Sequence, residues 1–419
     1  MHRMLVDRRF RHVILVWLSL VLPLPAARGA EEQREAVTHV NRVDADFAFQ
    51  GEFVGAVTGD SSEEQNLGLQ VMAHGDGSFE GTQYQGGLPG QQWDGSPPVR
   101  LIGKRADQVL VLSGGLWAII AQPDHCLLID AAGDRIGRLE RIHRTSPTLG
   151  AVAPEDAIVL FRGSDLEQFT QARLTDEGLL MEGADTKPMF QDFNLHLEFK
   201  LPYMPRGREQ VRANSGVYLQ SRYEVQILDS FGLEGANNEC GGLYKVRAPD
   251  VNMCFPPLAW QTYDVIFTAP RWAADGTKRK NARVSVWHNG VKIHDNFELP
   301  TKTGGGKPEG PCLLPIRLQD HGSPVRFRNI WLVDRGAAPP VSFPVFRAEG
   351  AQENCPSEPA EEPSEPLAEE PSDAPVEETV NDPAESPPSD PTNGTPTEDT
   401  TQESKPTDSS QDEAIGEPK

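Results

Sequence analysis

The stretch "NSGVYLQSRYEVQILDSFG", from Asn214 to Gly232, alternates apolar and polar residues with the period of a β-strand. The apolar register contains Val217, Leu219, Tyr223, Val225 and Ile227. The intervening register contains Tyr218, Gln220, Arg222, Glu224 and Gln226. We expect the first register to pack on a protein core. The second would then face outward and offer a row of planar hydrogen-bonding groups to a ligand.

A second row of the same kind follows about ninety residues later in "PIRLQDHG". Ile316 and Leu318 would point inward there, and Arg317, Gln319 and His321 outward. An ordinary solvated strand face is the simpler interpretation of both rows. However, Arg, Glu, Gln, Tyr and His have fixed donor and acceptor geometry and flat surfaces, which suit sugar hydroxyls and sugar rings.

Residues 155–336 contain further strand patterns and no sustained helical period. "DFNLHLEFKLP" alternates over its length, and "ARVSVWHNGVKIHD" has Asn289-Gly290 at its centre, which favours a type I′ hairpin. Many strands without helices predict an all-β jelly-roll sandwich. Residues 38–150 contain short apolar runs separated by glycines and predict a smaller β-rich domain. "TSPTLGAVAPEDA" reads as the linker between the two.

The two ends of the 419-residue chain differ from its middle. Residues 1–29 have the basic, apolar and small-residue order of a secretory signal peptide, with an uncleaved anchor as the alternative. Residues 350–419 hold 20 acidic residues and 2 lysines, a net charge of −18 within a total of −23, and predict a disordered tail that is dispensable for activity. We therefore expect an exported protein, periplasmic or extracellular, with no stable membrane span after cleavage. The acidic balance argues against nucleic acid as a partner.

Six motifs follow one another along about residues 156–334. They are "DFNLHLEFKLP", "NSGVYLQSRYEVQILDSFG", "CGGLYKV", "WQTYDVIF", "VWHNGVKI" and "IRLQDHGSPVRFRNIWL". In this order they resemble a known family, the 3-keto-disaccharide hydrolase domain, also described as a 3-keto-glucoside 1,2-lyase and 3-keto-2-hydroxy-glucal hydratase. The resemblance implies a concanavalin A-like jelly roll that cleaves the glycosidic bond of 3-keto-glycosides.

A ketone at C3 of a sugar acidifies the proton on C2, so that the group on C1 can leave by elimination and water can then add. This route needs a base near C2, an acid for the leaving group and donors for the oxygen on C3. We predict that Glu224 and His321 are the catalytic pair, in either order. Arg222 lies two residues from Glu224 on one face, and an ion pair between them would keep Glu224 ionised. The predicted substrate-binding residues are Asn214, Tyr218, Gln220, Arg222, Gln226, Asp229, Arg317 and Gln319.

No cofactor is predicted, although a divalent ion bound by Asp229 and His321 could replace some donors. The glycine-containing stretches "GDGSFEG" and "GGGKPEG" do not fit dinucleotide or phosphate-binding spacings. A separate oxidoreductase would therefore have to supply the 3-keto substrate.

Two alternative functions stay open at this point. The first is a conventional glycoside hydrolase that uses Glu224 and Asp229, because "EVQILD" approximates the Glu-x-Asp-x-x-Glu strand of jelly-roll glucanases. A retaining enzyme needs two carboxyl groups about 5 Å apart. Strict alternation instead places Asp229 on the opposite face from Glu224. The second alternative is a carbohydrate-binding or surface-interaction protein without catalysis.

Other residues have simpler predicted roles. Among the five cysteines, Cys240 and Cys254 are the expected pair if a disulfide forms, with buried free thiols as the alternative. We expect Tyr244 and Trp260 to be core aromatics. We expect His288, at the edge of a hairpin turn, to be solvated.

Overall fold

The computed structural model describes residues 35–58 and 64–336. The predicted signal peptide, residues 1–29, and the predicted acidic tail, residues 350–419, lie outside these ranges. Within them, no helix is long and apolar enough to cross a membrane. Three short 3₁₀ turns, Val40–Arg42, Ala45–Ala48 and Glu209–Val211, are the helical elements of the described ranges.

The first module is a closed eight-stranded barrel in which each strand pairs with its neighbours in the chain and the first pairs with the last. All of its pairings are antiparallel. The strands are β1 (Gly51–Thr58), β2 (Glu64–Gly75), β3 (Ser78–Gln85), β4 (Val99–Ala106), β5 (Val109–Ser113), β6 (Ala118–Ala121), β7 (His125–Ile129) and β8 (Arg135–Ile142). Closure leaves the barrel without an unpaired edge. Alternate residues such as Leu67, Leu69 and Val71 fill its interior.

The second module is the predicted all-β sandwich. Its strands are β9 (Ile158–Phe161), β10 (Phe169–Thr170), β11 (Leu180–Met181), β12 (Ala184–Thr186), β13 (Asp192–Lys200), β14 (Ser215–Leu219), β15 (Tyr223–Ile227), β16 (Trp260–Thr268), β17 (Arg271–Trp272), β18 (Lys278–Lys280), β19 (Ala282–His288), β20 (Val291–Leu299), β21 (Arg317–Leu318) and β22 (Arg326–Asp334). Five of them form one sheet in the order β10-β12-β21-β14-β15, which we call the front sheet. Seven form the back sheet, in the order β11-β22-β13-β16-β19-β20, with β9 paired to β22. The strands β17 and β18 pair only with each other.

The core of the sandwich lies between the two sheets, as the alternation predicted. The apolar register of the opening stretch is fully buried there, opposite the apolar register of β13. Members of the two registers include Val217, Val225, Leu195 and Leu197. Because side chains alternate along a strand, the polar register of β14 and β15 must lie on the other side of the front sheet.

The predicted linker is hydrogen-bonded to strands of the back sheet. The Gly150 N–H donates to Glu198 Oε1, and the Thr148 hydroxyl donates to Asp264 Oδ2. The segment is thereby fixed across the outer face of the back sheet, away from the polar register of the front sheet.

Two hairpins of the sandwich have two-residue turns with positive φ at both central residues. Asn289 and Gly290 have φ of 50° and 81° between β19 and β20, which confirms the predicted type I′ turn. Gln220 and Ser221 have φ of 50° and 51° between β14 and β15. Gln220 therefore belongs to a turn and not to the strand face on which the sequence had placed it.

One further expectation was wrong, and for the two cysteines the structure shows the alternative of free thiols. His288 is fully buried, its Nε2 lies 2.9 Å from Gln261 Oε1, and burial lowers its pKa to about 3. Cys240 and Cys254 are buried free thiols and not a disulfide. In both cases the chain that covers the residue comes from elsewhere in the sequence, and strand periodicity does not show it.

Candidate active site

The polar register of the front sheet brings together most of the predicted site residues. Tyr218 on β14 is directly opposite Glu224 on β15, and Arg317 on β21 is directly opposite Tyr218 on its other side. One step along the strands, Gly216 is opposite Gln226.

Glu224 is the chemically unusual member of this group. Its side chain is buried, with only 2% of the residue exposed, and burial raises its pKa from 4.5 to about 7. The neighbouring Tyr218 hydroxyl opposes that shift in part. Burial also raises the pKa of Tyr218, so its hydroxyl stays protonated and can donate. A carboxyl group with a pKa near neutrality can exchange a proton in either direction at physiological pH.

The predicted ion pair between Arg222 and Glu224 is absent. Arg222 instead donates from Nε to the Pro308 carbonyl at 2.9 Å and from Nη1 to the Cys312 carbonyl at 3.0 Å. Without a cationic partner, Glu224 is not held ionised, which is why desolvation dominates its pKa. Arg222 and the turn residue Gln220, which donates to the Phe190 carbonyl, fix neighbouring chain segments.

Four oxygen atoms around Glu224 are buried and have no hydrogen-bond partner among the described residues. They are Asn214 Oδ1, Glu224 Oε2, Gln226 Oε1 and Gln319 Oε1. Buried polar atoms are nearly always paired, so each unpaired oxygen marks a place where a donor is missing. All four are acceptors, and they line the β21–β14–β15 side of the sheet, where sugar hydroxyls could supply the donors.

The orientation of two of these amides is fixed by a residue that the sequence did not single out. Gln210 Oε1 accepts from Asn214 Nδ2 at 3.2 Å and from Gln226 Nε2 at 3.0 Å. The amide nitrogens are therefore occupied and the amide oxygens are left for a ligand. Gln319 donates from Nε2 to the Tyr218 hydroxyl at 3.3 Å, so its amide oxygen is likewise left for a ligand.

Gly216 leaves the space that the Glu224 carboxyl occupies. A Cβ atom there would overlap Glu224 Oε1 and lie 3.0 Å from Glu224 Cδ. Glycine is therefore the residue that lets the Glu224 carboxyl lie over the strand. Its position in the polar register, between Asn214 and Tyr218, makes it part of the site.

The outer face of the front sheet is covered and not open, contrary to expectation. Residues 303–312, which we call the glycine strap, cross it. The Glu224 N–H donates to Thr303 Oγ1 at 2.8 Å, the Gly304 N–H donates to the Tyr244 carbonyl at 3.1 Å, and the Lys307 N–H donates to the Ser221 carbonyl at 2.8 Å. The local sequence of a hairpin predicts a solvated polar face, because it does not show a covering segment that lies about 80 residues further along the chain.

Three consecutive glycines allow the strap to lie this close. A Cβ at Gly304 would lie 2.9 Å from Tyr244 Cδ1, and one at Gly305 would overlap the Tyr218 hydroxyl. A Cβ at Gly306 would overlap the Arg222 carbonyl oxygen. The sequence stretch "GGGKPEG", which fits no phosphate-binding pattern, is therefore a close-approach segment over Glu224 and Tyr218.

Arg317 and Asp229 make ion pairs within the protein. Arg317 binds Asp185 through Nε at 2.9 Å and Nη2 at 3.2 Å. Asp229 follows the end of β15 and is buried, where Arg212 Nε binds its Oδ2 at 2.8 Å. The structure thus gives the Asp229 carboxylate an ionic partner, whereas Glu224 has none among the described residues.

His321 lies on the exposed turn that follows β21, two residues beyond Gln319. It makes no hydrogen bond or ion pair within the described part of the chain. The turn itself is formed by the Gly322 N–H, which donates to Asp320 Oδ1 at 2.9 Å. The predicted catalytic role of His321 therefore stays a prediction.

Tyr244 and Trp260 are not core residues. Both are half-buried, and the Arg328 guanidinium covers the Trp260 ring with its Cζ 3.9 Å from the ring centroid. Tyr244 lies beside Glu224, because its N–H donates to the Glu224 carbonyl at 3.3 Å. Burial first, and the Glu224 charge second, raise the pKa of Tyr244.

No group of three or more His, Cys, Asp or Glu side chains that could hold a metal ion occurs within residues 35–58 and 64–336. The donors around Glu224 are mostly amides and hydroxyls. These groups suit a polyhydroxylated organic ligand.

Comparison with known proteins places the sandwich in one family. Residues 156–333 match the model of the 3-keto-alpha-glucoside-1,2-lyase-like domain. A solved protein from Parabacteroides distasonis, described as a "putative glycosyl hydrolase", is 35% identical over 43% of this chain and 85% of its own, with a TM-score of 0.40. Another from the same organism, with the same description, is 20% identical over 44% of this chain and 98% of its own, with a TM-score of 0.32. No curated protein matches. The chain belongs, through residues 156–333, to the family of 3-keto-alpha-glucoside-1,2-lyase-like domains.

Proposed function

We propose that this protein is a carbohydrate-active enzyme that cleaves the glycosidic bond of 3-keto-glycosides by elimination followed by hydration. One observation carries the proposal. Glu224 is a buried carboxyl group with a pKa of about 7, and it lies among oxygen acceptors that have no donor among the described residues. The family membership supports the same substrate class, and the glycosyl hydrolase description of the relative with 35% identity supports cleavage of a glycosidic bond.

Ionised Glu224 acts as the base and takes the proton from C2 of the sugar. The electrons of the C2–H bond form the enolate, whose negative charge lies on the C3 oxygen. The enolate then expels the group on C1 and leaves a C1–C2 double bond. Water adds at C1 while a proton returns to C2, so that the net reaction is hydrolysis. The leaving group receives a proton from an acid, for which His321 is the candidate.

The hydrogen-bonding pattern assigns different tasks to the polar side chains. Asn214 and Gln226 present oxygens, so they accept from sugar hydroxyls and do not stabilise the oxygen on C3. Donors for that oxygen come from the Tyr218 hydroxyl and from the second hydrogen of Gln319 Nε2, whose first hydrogen bonds to the Tyr218 hydroxyl at 3.3 Å. The protonated Tyr218 hydroxyl can donate its hydrogen bond either to the Glu224 carboxylate or to the oxygen on C3.

The conventional glycosidase alternative has less support. It requires a second carboxylate as nucleophile or base, and the candidate, Asp229, is buried in an ion pair with Arg212. Elimination needs no second carboxylate. The non-catalytic alternative gives no functional reason for the raised pKa of Glu224.

Export and a partner enzyme complete the proposal. The signal-like residues 1–29 support a periplasmic or extracellular location. The sequence has no dinucleotide-binding pattern, so a separate oxidoreductase would supply the ketone at C3.

The test is a turnover assay on 3-keto-glucosides and on the same glucosides without the ketone. Wild-type protein should cleave the ketosugars, and Glu224→Gln should reduce that rate by about 10²–10⁴-fold. Cleavage of the parent glucosides at a higher rate would favour the glycosidase alternative. Binding of both without cleavage of either would favour the non-catalytic one.

A further inference from the structure

We infer that a basic groove beside the outer face of the back sheet binds an acidic polysaccharide, that is, a sugar polymer that carries carboxylate groups. This binding site is separate from Glu224 and does not depend on the proposed reaction. Its residues supply a cavity, positive charge, two cations without a protein partner among the described residues, and polar groups that suit sugar hydroxyls.

The groove lies where the β17–β18 hairpin meets one end of the back sheet, and its volume is about 700 Å³. Thr268, Arg283 and Glu298 line it from β16, β19 and β20, where they are directly opposite one another. Their chain neighbours Phe267 and Val284 belong to the sandwich core. Because side chains alternate along a strand, the three lining side chains point away from that core.

Positive charge dominates the lining of the groove. Five of its nine described residues are basic and one, Glu298, is acidic. The basic residues are Arg271, Lys278, Arg279, Lys280 and Arg283. They come together although the whole chain has a net charge of −23. A cleft lined by one sign of charge concentrates ligands of the opposite charge, so this groove selects for anions.

The pairing of these cations shows which of them a ligand can use. Three already hold carboxylates: Arg271 Nη2 lies 2.5 Å from Asp192 Oδ2, Lys278 Nζ lies 2.7 Å from Glu309 Oε2, and Arg283 Nη1 lies 2.7 Å from Glu298 Oε2. The side chains of Arg279 and Lys280 are exposed and have no hydrogen bond or ion pair within residues 35–58 and 64–336. These two cations are therefore available to the carboxylates of a ligand.

Two uncharged lining residues present groups that suit sugar hydroxyls. Asn281 donates from Nδ2 to Glu298 Oε1 at 2.9 Å, so its amide oxygen is left to accept from a ligand. Thr268 Oγ1 accepts from Arg335 Nη2 at 2.9 Å, so the threonine can still donate its own hydroxyl hydrogen.

The same lining offers little to a peptide. Among the described residues that line the groove, Ala269 alone is apolar, so the apolar side chains of a peptide would find no anchor there. A polymer that carries both carboxylates and hydroxyls matches the cations, the amide and the hydroxyl together. An acidic polysaccharide therefore fits this groove better than an acidic peptide does.

The experiment measures dissociation constants of the full chain for three polymers: polygalacturonate, the neutral polysaccharide dextran, and poly-glutamate as an acidic peptide. Each is measured at about 0.1 M and about 1 M salt, because this change shortens the Debye length from about 10 Å to about 3 Å and weakens exposed ion pairs. The variants are Arg279→Gln, Lys280→Gln and the double substitution. The matched control is Arg42→Gln/Arg135→Gln, which removes two positive charges at exposed positions outside the groove.

Polygalacturonate should bind at the lower salt concentration and much more weakly at the higher one, and dextran should not bind. Each single substitution should weaken binding about 5-fold, as expected for one cation beside an anionic surface, and the double substitution about 25-fold. The control should keep the wild-type dissociation constant.

Three results would overturn this assignment. The first is wild-type protein that does not bind polygalacturonate. The second is a double variant that binds as wild type does, or a control that loses as much affinity as the double variant. The third is poly-glutamate that binds as tightly as polygalacturonate, which would show that the groove takes any anionic polymer and not a polysaccharide.

Discussion

Adding one methyl group to the glycine strap should damage the site without touching a catalytic residue. The Cβ of Gly305→Ala would lie more than 1 Å inside the roughly 3.5 Å separation of normal van der Waals contact with the Tyr218 hydroxyl. It would also lie 3.6 Å from Glu224 Oε2. The φ of Gly305 is not in the left-handed region, so alanine meets a steric obstacle there and no backbone penalty.

The size of the effect follows from that overlap. Tyr218 is buried, with 4% of the residue exposed, so relieving the overlap requires the strap or the Tyr218 ring to shift by about 1 Å against packed neighbours. A misplacement of 1 Å can reduce turnover by about 10²-fold, and overpacking a dense region costs about 1–3 kcal/mol of unfolding free energy. We expect both losses in Gly305→Ala.

The assay is kcat/KM on a 3-keto-glucoside together with urea-induced unfolding. The matched control is Gly310→Ala in the same strap, where the new Cβ would have its nearest neighbour, Arg222 Nη2, at 3.9 Å. This control should keep wild-type activity and stability. Wild-type values for Gly305→Ala would show that the strap does not lie against Tyr218 and Glu224, and would refute this description of the site.

Three further predictions follow from the same contacts. Burial raises the Glu224 pKa from 4.5 to about 7, so between these pH values the folded state holds a proton that the unfolded state releases. The unfolding free energy should therefore fall by up to about 3 kcal/mol between pH 4.5 and 8. Glu224→Gln should abolish that fall in urea titrations at the two pH values, and an unchanged pH dependence would contradict the raised pKa. Arg222→Lys should lower turnover, because lysine cannot donate to the Pro308 and Cys312 carbonyls at once. The pH–rate profile of this variant should keep its wild-type position. A displaced profile would instead indicate an ion pair between Arg222 and Glu224. His321→Ala should keep the wild-type melting temperature, since the side chain is exposed, and lose about 10²–10⁴-fold in turnover; a wild-type rate would remove His321 from the mechanism.

Periodicity was sufficient to predict the all-β fold class and which side chains of β14 and β15 share a face. Val217 and Val225 had to face the core because strand side chains alternate, and this placed Tyr218, Glu224 and Gln226 together on the other face. The type I′ turn at Asn289-Gly290 was also a local property of the sequence. These predictions depend on residues that are close along the chain.

The parts that failed depend on contacts between distant residues. Arg222 was expected to pair with Glu224, its neighbour in the register, but the carbonyls of Pro308 and Cys312 compete for it from the strap. The covering of the polar face, the role of Gln210 and the position of Tyr244 all arise from segments that loop back over the sheet. The run of glycines at 304–306 was the one visible signal, and its meaning depends on which atoms lie beneath it.

The fate of the hydrogen on C2 tests the central claim most directly. If Glu224 removes the C2 proton in each turnover, cleavage in deuterium oxide should place deuterium at C2 of the released 3-keto sugar. Early time points, with the product incubated alone as control, separate this from spontaneous exchange. Full retention of hydrogen at C2, with slow background exchange, would contradict elimination and favour direct displacement at C1.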